Sequence, residues 1–437
     1  MNIKDQKKNF YSKLTAGGAW LLLGSCIQKG STLFLAILIA RHLGQSGYGE
    51  FGVIQACIMV LQVFASFGVV TATTKFVAEY HRKDILKTGR IISLSYTSAI
   101  ILGGGVTGLL IFFSDQLAGS VYEASQLSND IKIASLAILF STINGVQQGI
   151  LSGVQRFKEI SRISIYTGLL SIPITIYFTY LMGLQGAALS ITITAFIGCL
   201  LSYFSAQRAL NNFNIPYRWV ECLQEIRIMY TFNIPAFLGS LMVAPAMWVC
   251  TAMLVRSEAG FEGMGVFNVV NQWLIALMFI PSILNQVVLP LMCDKQDNNL
   301  SPKTLLFIMM KTNAYLLAPV VLFLSILSPY ILQLYGNEYQ GEWQAFILVL
   351  FTAWLSAILL PIGNAIASEN KMWVGVAING LWAFNFIMFS YLFIGYGVLG
   401  ILFARLLAYV LNALISILLI RGEYIFLSSH LKSPLTS

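Results

Sequence analysis

The sequence predicts an all-α membrane protein: twelve transmembrane helices in two pseudo-symmetric six-helix lobes, with the N- and C-termini cytoplasmic. Three observations predict it. Hydrophobic residues make up 57% of the chain and charged residues only 10%, with a mean hydropathy of +0.76, whereas soluble domains are about a quarter charged. Apolar runs able to cross a hydrocarbon core of about 30 Å, at about 1.5 Å per helical residue, recur twelve times. With the N-terminus placed in the cytoplasm, 21 of the 26 lysines and arginines fall in inside segments, three outside and two within spans, the asymmetry of the positive-inside rule.

The chain begins with Lys4, Lys7, Lys8 and Lys13, followed by a first run, 16–40. That run is too long for a signal-peptide core and no small-x-small cleavage pattern follows it, so it reads as a retained helix. Lys29 stands near its middle. A lysine stem reaches about 6 Å, less than half the distance to the nearer end of the span, so the ammonium needs a cavity or a partner. Ser25 and Thr32, four residues before and three after, make one face of this helix polar. The second run, 48–72, carries Gln55 and Gln62 one above the other. Runs 91–113, 131–153, 163–181 and 186–206 complete a first lobe, 1–210. The longest inside connection, 207–228, makes 211–228 the inter-lobe segment, and 229–437 is the second lobe with a short tail. Its first two runs are 229–254, with Pro235 and Pro245, and 263–292, with Pro281 and Pro290; both are expected to bend. Asn268, Asn271 and Gln272 share one face of the eighth run. Runs 305–327, 345–367, 373–393 and 398–420 follow, the last with Arg405 about 11 Å from its outer end.

An internal repeat is expected. Tyr48-Gly49-Glu50-Phe51-Gly52-Val53-Ile54-Gln55 opens the second run and Met264-Gly265-Val266-Phe267-Asn268-Val269-Val270-Asn271 opens the eighth; at one constant offset Gly49 aligns with Gly265, Phe51 with Phe267 and Gln55 with Asn271. Gly183-Leu184-Gln185-Gly186 and Gly397-Val398-Leu399-Gly400 open the sixth and twelfth. Six spans is an even number, so both halves enter from the same side, giving parallel repeats about an axis along the membrane normal with a site between them.

Several classes of chemistry are excluded or disfavoured. No carboxylate lies deep in a span, so the charged interior is cationic. The net charge of +8 reflects orientation and contact with anionic lipid rather than nucleic acid. Gly24 to Thr32 has the wrong spacing for a phosphate-binding loop. His42, His81 and His430 are too dispersed for a metal site, and no cofactor is implied. Cys26, Cys57, Cys199, Cys222, Cys250 and Cys293 form no C-x-x-C pair and read as packed free thiols.

The segment Ala40-Arg41-His42-Leu43-Gly44-Gln45-Ser46-Gly47-Tyr48-Gly49-Glu50-Phe51 resembles the A-R-x-L-G-x-x-x-Y-G-x-F signature of Wzx-type polysaccharide-export flippases. Gly153-Val154-Gln155-Arg156-Phe157-Lys158 resembles their G-x-Q-R-F-K segment. These flippases belong to the superfamily of multidrug and toxin extrusion transporters, which includes the lipid II flippase MurJ; twelve spans suit the Wzx group better than MurJ, which has two more. The resemblance implies a transporter of the bacterial or archaeal cytoplasmic membrane, not an enzyme, that moves undecaprenyl-diphosphate-linked oligosaccharide by alternating access. Its implied partners are that lipid-linked oligosaccharide, membrane lipids and other proteins of polysaccharide assembly. A diphosphate needs cations in a low-dielectric cavity, which makes Lys29 and Arg405 the candidate contacts. The alternatives are a lysine held by backbone carbonyls and an arginine that snorkels outward. Ser25, Thr32, Gln55, Gln62, Asn268, Asn271 and Gln272 are candidates to line the cavity, with interhelical hydrogen bonds as the competing role. Arg41, Lys75, Arg156 and Arg256 are candidates for its mouth or gate. Arg41 with Glu50 reads first as an ion pair bracing a turn, and Lys75 with Arg82, Lys83 and Lys87 as a solvated loop. Competing functions are a cation-coupled drug extruder, which would want an intramembrane carboxylate, a membrane glycosyltransferase or polymerase, which would want large acidic loops, and a structural scaffold, against which a lysine buried in a polar stripe speaks.

Overall fold

A computed structural model describes residues 3–285, 302–369 and 371–421; Pro290, Cys293 and His430 lie outside them. In chain order the helices are α1 (Ile3–Ser66), α2 (Val69–Tyr80), α3 (Ile85–Gln116), α4 (Ser128–Gly153), α5 (Phe157–Met182), α6 (Leu184–Asn212), α7 (Ile226–Arg256), α8 (Gly260–Leu277), α9 (Pro302–Ile326), α10 (Ser328–Gln333), α11 (Trp343–Ser368), α12 (Met372–Phe393) and α13 (Gly397–Arg421). Among the described residues there is no strand, and nine helices are long and apolar enough to cross a membrane. Two of the nine, Leu22–Ser66 with 45 residues and Trp373–Ile420 with 48, are about twice the length one crossing needs. Each contains a left-handed glycine, Gly44 at φ 70° and Gly397 at φ 61°, which lets the backbone turn without a β-carbon clash.

Two expected helices differ. The run 48–72 is interrupted at Phe67 and Gly68, both at positive φ, and α2 starts afresh at Val69. Apolar residues on both sides hide that break from hydropathy. Of the two runs expected to bend at proline, α7 continues as helix through Pro235 and Pro245, while the eighth run turns at Met278, three residues before Pro281.

The chain forms two compact units, Met1–Leu43 with Ile54–Phe237, and Gly44–Val53 with Leu238–Ser437. In the first, Val69, Val77, Ile92, Val146, Ile150 and Leu210 form one apolar cluster that also takes in Ile215 and Cys222. The stretch after α6 is therefore no free linker. A β-carbon on Gly89 would overlap the Pro216 carbonyl, the Arg218 amide donates to Ser93 Oγ at 2.9 Å, and Arg90 pairs with Glu225 at 3.1 Å and Glu221 at 3.6 Å.

In the second unit, the decapeptide Gly44–Val53 is clasped by residues far along the chain. The Gln45 amide donates to Glu338 Oε2 at 3.0 Å, so a carboxylate 293 residues away caps the helix that begins after Gly44. Gly49 lies against the Phe261 carbonyl, and Gly265 against the Gln45 carbonyl, each too close for a β-carbon. At the offset of the internal repeat, Phe261 is the counterpart of Gln45 and Gly265 that of Gly49, so each contact is the mirror of the other, the pattern a two-fold axis generates. The left-handed glycines repeat as well: Gly260, at φ 52°, is the counterpart of Gly44 at the same offset. Gly183 (φ 58°, ψ −128°) and Gly397 (φ 61°, ψ −135°) share one unusual backbone geometry at the starts of α6 and α13.

Candidate functional site

Helix α1 docks on α5 through small residues. Gly24 sits against Ser161, whose hydroxyl donates to the Trp20 carbonyl at 2.6 Å, and Gly168 sits against Gln28 and Ser31. Counting at 100° per residue, Ser25, Lys29 and Thr32 then stand about 170° around the helix from Leu23, Ile27 and Phe34. The second trio is exposed and apolar, the surface lipid covers; in the first, Lys29 and Thr32 are exposed and Ser25 is half-buried. Lys29 therefore projects from a polar face turned away from the apolar one. It makes no hydrogen bond or ion pair among the described residues, and the Thr32 hydroxyl donates to the Gln28 carbonyl at 2.9 Å.

Arg405, on α13, is placed differently. It is only 6% exposed, and its Nη1 donates to Asn271 Oδ1 on α8 at 2.9 Å. Cys250 and Tyr409 flank it, and its Nε is buried without an acceptor. No carboxylate neutralises it among the described residues. Burial argues against snorkelling in this conformation.

The amides split between packing and partnership. Gln62 donates to Thr142 Oγ1 at 3.1 Å, tying α1 to α4. Asn268 fills the space beside Gly52 and reaches the Tyr48 carbonyl at 3.4 Å. Gln272 lies beside the Tyr48 hydroxyl, Gln55 is half-buried, and Asn271 holds the arginine. Arg41, Lys75 and Arg256 are exposed and Arg156 half-buried at the N-terminus of α5; Lys75 Nζ lies 5.3 Å from the Phe76 ring centroid. The structure thus joins Arg405 to Asn271 and gives Gln62 and Asn268 helix-packing bonds. An apolar crevice of about 190 Å³ between α1 and α5, lined by Leu35, Ile39, His42, Thr175, Ile176 and Tyr180, holds no carboxylate, lysine or arginine. His81 is a buried cap whose Nδ1 is 2.9 Å from the Val77 carbonyl. Five described cysteines are free thiols, and no group of His, Cys, Asp or Glu among the described residues could hold a metal.

Residues 14–296 match the family described as polysaccharide biosynthesis protein. The chain belongs to this family. Relatives similar to it over most of its length include the EPS I polysaccharide export inner membrane protein EpsE of Ralstonia solanacearum, 22% identical over 419 residues, 92% of each chain. The lipid III flippase of Escherichia coli strain K12 is 23% identical over 286 residues, covering 63% of this chain and 66% of its own. The fold is that of MOP-superfamily transporters. A multidrug resistance MATE family transporter in an inward-facing conformation superposes with a TM-score of 0.76 at 17% identity, over 94% of this chain and 99% of its own. The lipid II flippase MurJ superposes with a TM-score of 0.74 at 15% identity, over 92% and 87%. The chain is a multi-pass membrane protein of this family, and these two relatives carry the names of an export protein and a flippase rather than of catalysts.

Proposed function

We propose that this protein flips an undecaprenyl-diphosphate-linked oligosaccharide across the cytoplasmic membrane for surface polysaccharide assembly. The reading adopts the twelve-span architecture with cytoplasmic termini, lobes 1–210 and 229–437 joined through 211–228, and alternating access between them. One observation carries it: two cations, Lys29 on an exposed polar helix face and Arg405 buried beside Asn271, occur in apolar helices with no carboxylate opposing them among the described residues. Isolated charge in a membrane is costly and persists where it serves a substrate or ion pathway. An anionic diphosphate supplies the missing countercharge through charge-assisted hydrogen bonds. Ser25 and Thr32 beside Lys29 add hydroxyls suited to the sugar or phosphate oxygens. The names of the relatives, an export protein and a lipid III flippase, support the same substrate class.

Transport of a fluorescent undecaprenyl-diphosphate oligosaccharide in proteoliposomes tests this. Lys29→Ala is expected to reduce the rate at least tenfold and Lys29→Arg to retain a substantial part, at matched reconstitution. Equal rates in all three would make Lys29 structural. Efflux of a cationic dye by the intact protein, without lipid transport, would replace the flippase reading with drug extrusion.

A further inference from the structure

The stretch between α6 and α7 carries a feature that substrate transport does not use. Its base is anchored to the start of α3: Pro216 at Gly89, and Glu221 and Glu225 at Arg90. Its tip climbs further along the same helix. Arg218 meets Ser93, and the rings of Tyr217 and Trp219 stack on each other, centroids 5.7 Å apart and 17° from parallel, and pack beside Tyr96 at 6.1 and 6.4 Å. Tyr96 lies five residues inside the apolar run that starts at Ile91, about 8 Å along the axis. The tip therefore reaches the depth at which α3 is already in the membrane.

At that depth the tip presents apolar groups outward. Trp219 is 51% exposed, Val220 96% and Leu223 63%, and Ile226 continues the surface into α7. Further along α3 from Tyr96, Ile100 and Ile101 are exposed and apolar as well, residues of a candidate membrane span. Two of the tip's own polar groups are bound inward, the Arg218 amide by Ser93 and the Tyr217 hydroxyl by Gln207 Oε1 at 2.9 Å, as irregular backbone at membrane depth requires. The Arg218 guanidinium is left half-exposed, with Glu221 3.8 Å away.

We propose that residues 217–220 form an interfacial anchor that inserts into the leaflet on the side of the chain's termini. Trp219 and Val220 occupy the boundary of headgroups and upper acyl chains, and Arg218 meets lipid phosphate. Tryptophan and tyrosine favour that layer because one end of each ring is apolar and the other hydrogen-bonds, and arginine beside it adds attraction to anionic lipid. The occupant is the bilayer itself.

The experiment places a fluorophore at the tip. In a chain whose native cysteines are replaced by serine or alanine, Val220→Cys and, as a reference in the exposed turn before α3, Lys83→Cys are each labelled with an environment-sensitive NBD group. Both are reconstituted in vesicles of phosphatidylethanolamine and phosphatidylglycerol. Lipids brominated near the top of the acyl chain are expected to quench the label at 220 several-fold more than at 83, and aqueous iodide to do the reverse. Iodide quenching at 220 equal to that at 83 overturns the proposal. So does a label at 220 shielded from both quenchers, which would mean a protein contact. In the otherwise native chain, Trp219→Ala is expected to lower the fraction of tryptophan emission quenched by brominated lipid, and no change would equally overturn it.

Discussion

Arg405 donates to Asn271 and lies against Tyr409, while its Nε stays buried and unsatisfied. A bond to a charged group contributes about 1.5–3 kcal/mol, less than the cost of stranding a guanidinium in an apolar helix bundle. Arg405→Gln keeps a donor for Asn271 and removes the charge. It is expected to raise the thermal midpoint of the detergent-solubilised protein, or leave it unchanged, while transport falls at least tenfold; a lowered midpoint with normal transport would make the arginine structural. Depth in apolar runs is what singles out Lys29 and Arg405 in the sequence. What the sequence did not distinguish is their setting, one exposed and one enclosed, because depth along a helix says nothing of which neighbour covers it. The same blindness applies to the amides. Gln62 and Gln55 occupy one helix face in sequence, yet Thr142 on α4 takes the first.

At the scale of elements, the two motifs behind the family resemblance turn out to be joints. In the first, Gly44 makes the break, Tyr48 and Phe51 are buried, and Gly49 admits the Phe261 carbonyl. In the second, Gln155 adopts a left-handed conformation at the end of α4, where the Arg156 amide returns to the Leu151 carbonyl at 2.8 Å, a helix stop of the kind that satisfies orphan carbonyls. Gly49→Ala and Gly265→Ala should each destabilise by about 1–3 kcal/mol through forced separation of backbones. Gly104→Ala in α3, where a β-carbon meets nothing within 4 Å, should be neutral or mildly stabilising. Thermal unfolding followed by size-exclusion fluorescence checks this, and equal midpoints for all three variants would refute the close-contact argument. The helices themselves were readable from hydropathy, but the break at Phe67 and Gly68 and the lacing of 216–225 onto α3 were not. Pro216-Tyr217-Arg218-Trp219-Val220 did carry a signal, aromatic and cationic residues mixed with apolar ones beside a span.

For the molecule as a whole, composition and the one-sided distribution of cations were enough to establish a polytopic membrane chain, and the two glycine-rich helix starts at one constant offset are where the paired contacts of Gly49 and Gly265 occur. Equivalent positions should then respond alike. Gly183→Ala and Gly397→Ala, which force an L side chain into the same positive-φ, negative-ψ geometry, are expected to cost about 1–3 kcal/mol each, Gly397→Ala the more because its β-carbon would also press on Ala259; an unchanged unfolding midpoint in either variant would deny the equivalence. The compact units divide at Phe237 and Leu238 rather than at a loop. A sequence boundary near 210 follows from loop length, but Gly44–Val53 groups with the chain beyond Leu238, and no local property of that decapeptide announces it. Its placement also has a consequence in time. Gln45 leaves the ribosome 293 residues ahead of Glu338, roughly 15–60 s earlier at about 5–20 residues per second. Phe261 and Gly265 follow before Glu338 does, so Gly49 waits a shorter time for its contacts, but through the whole interval the helix that begins after Gly44 lacks the carboxylate that caps it. The nascent hairpin of the first two spans must wait at the insertion machinery or the water interface, half-finished, until the later spans arrive to close it.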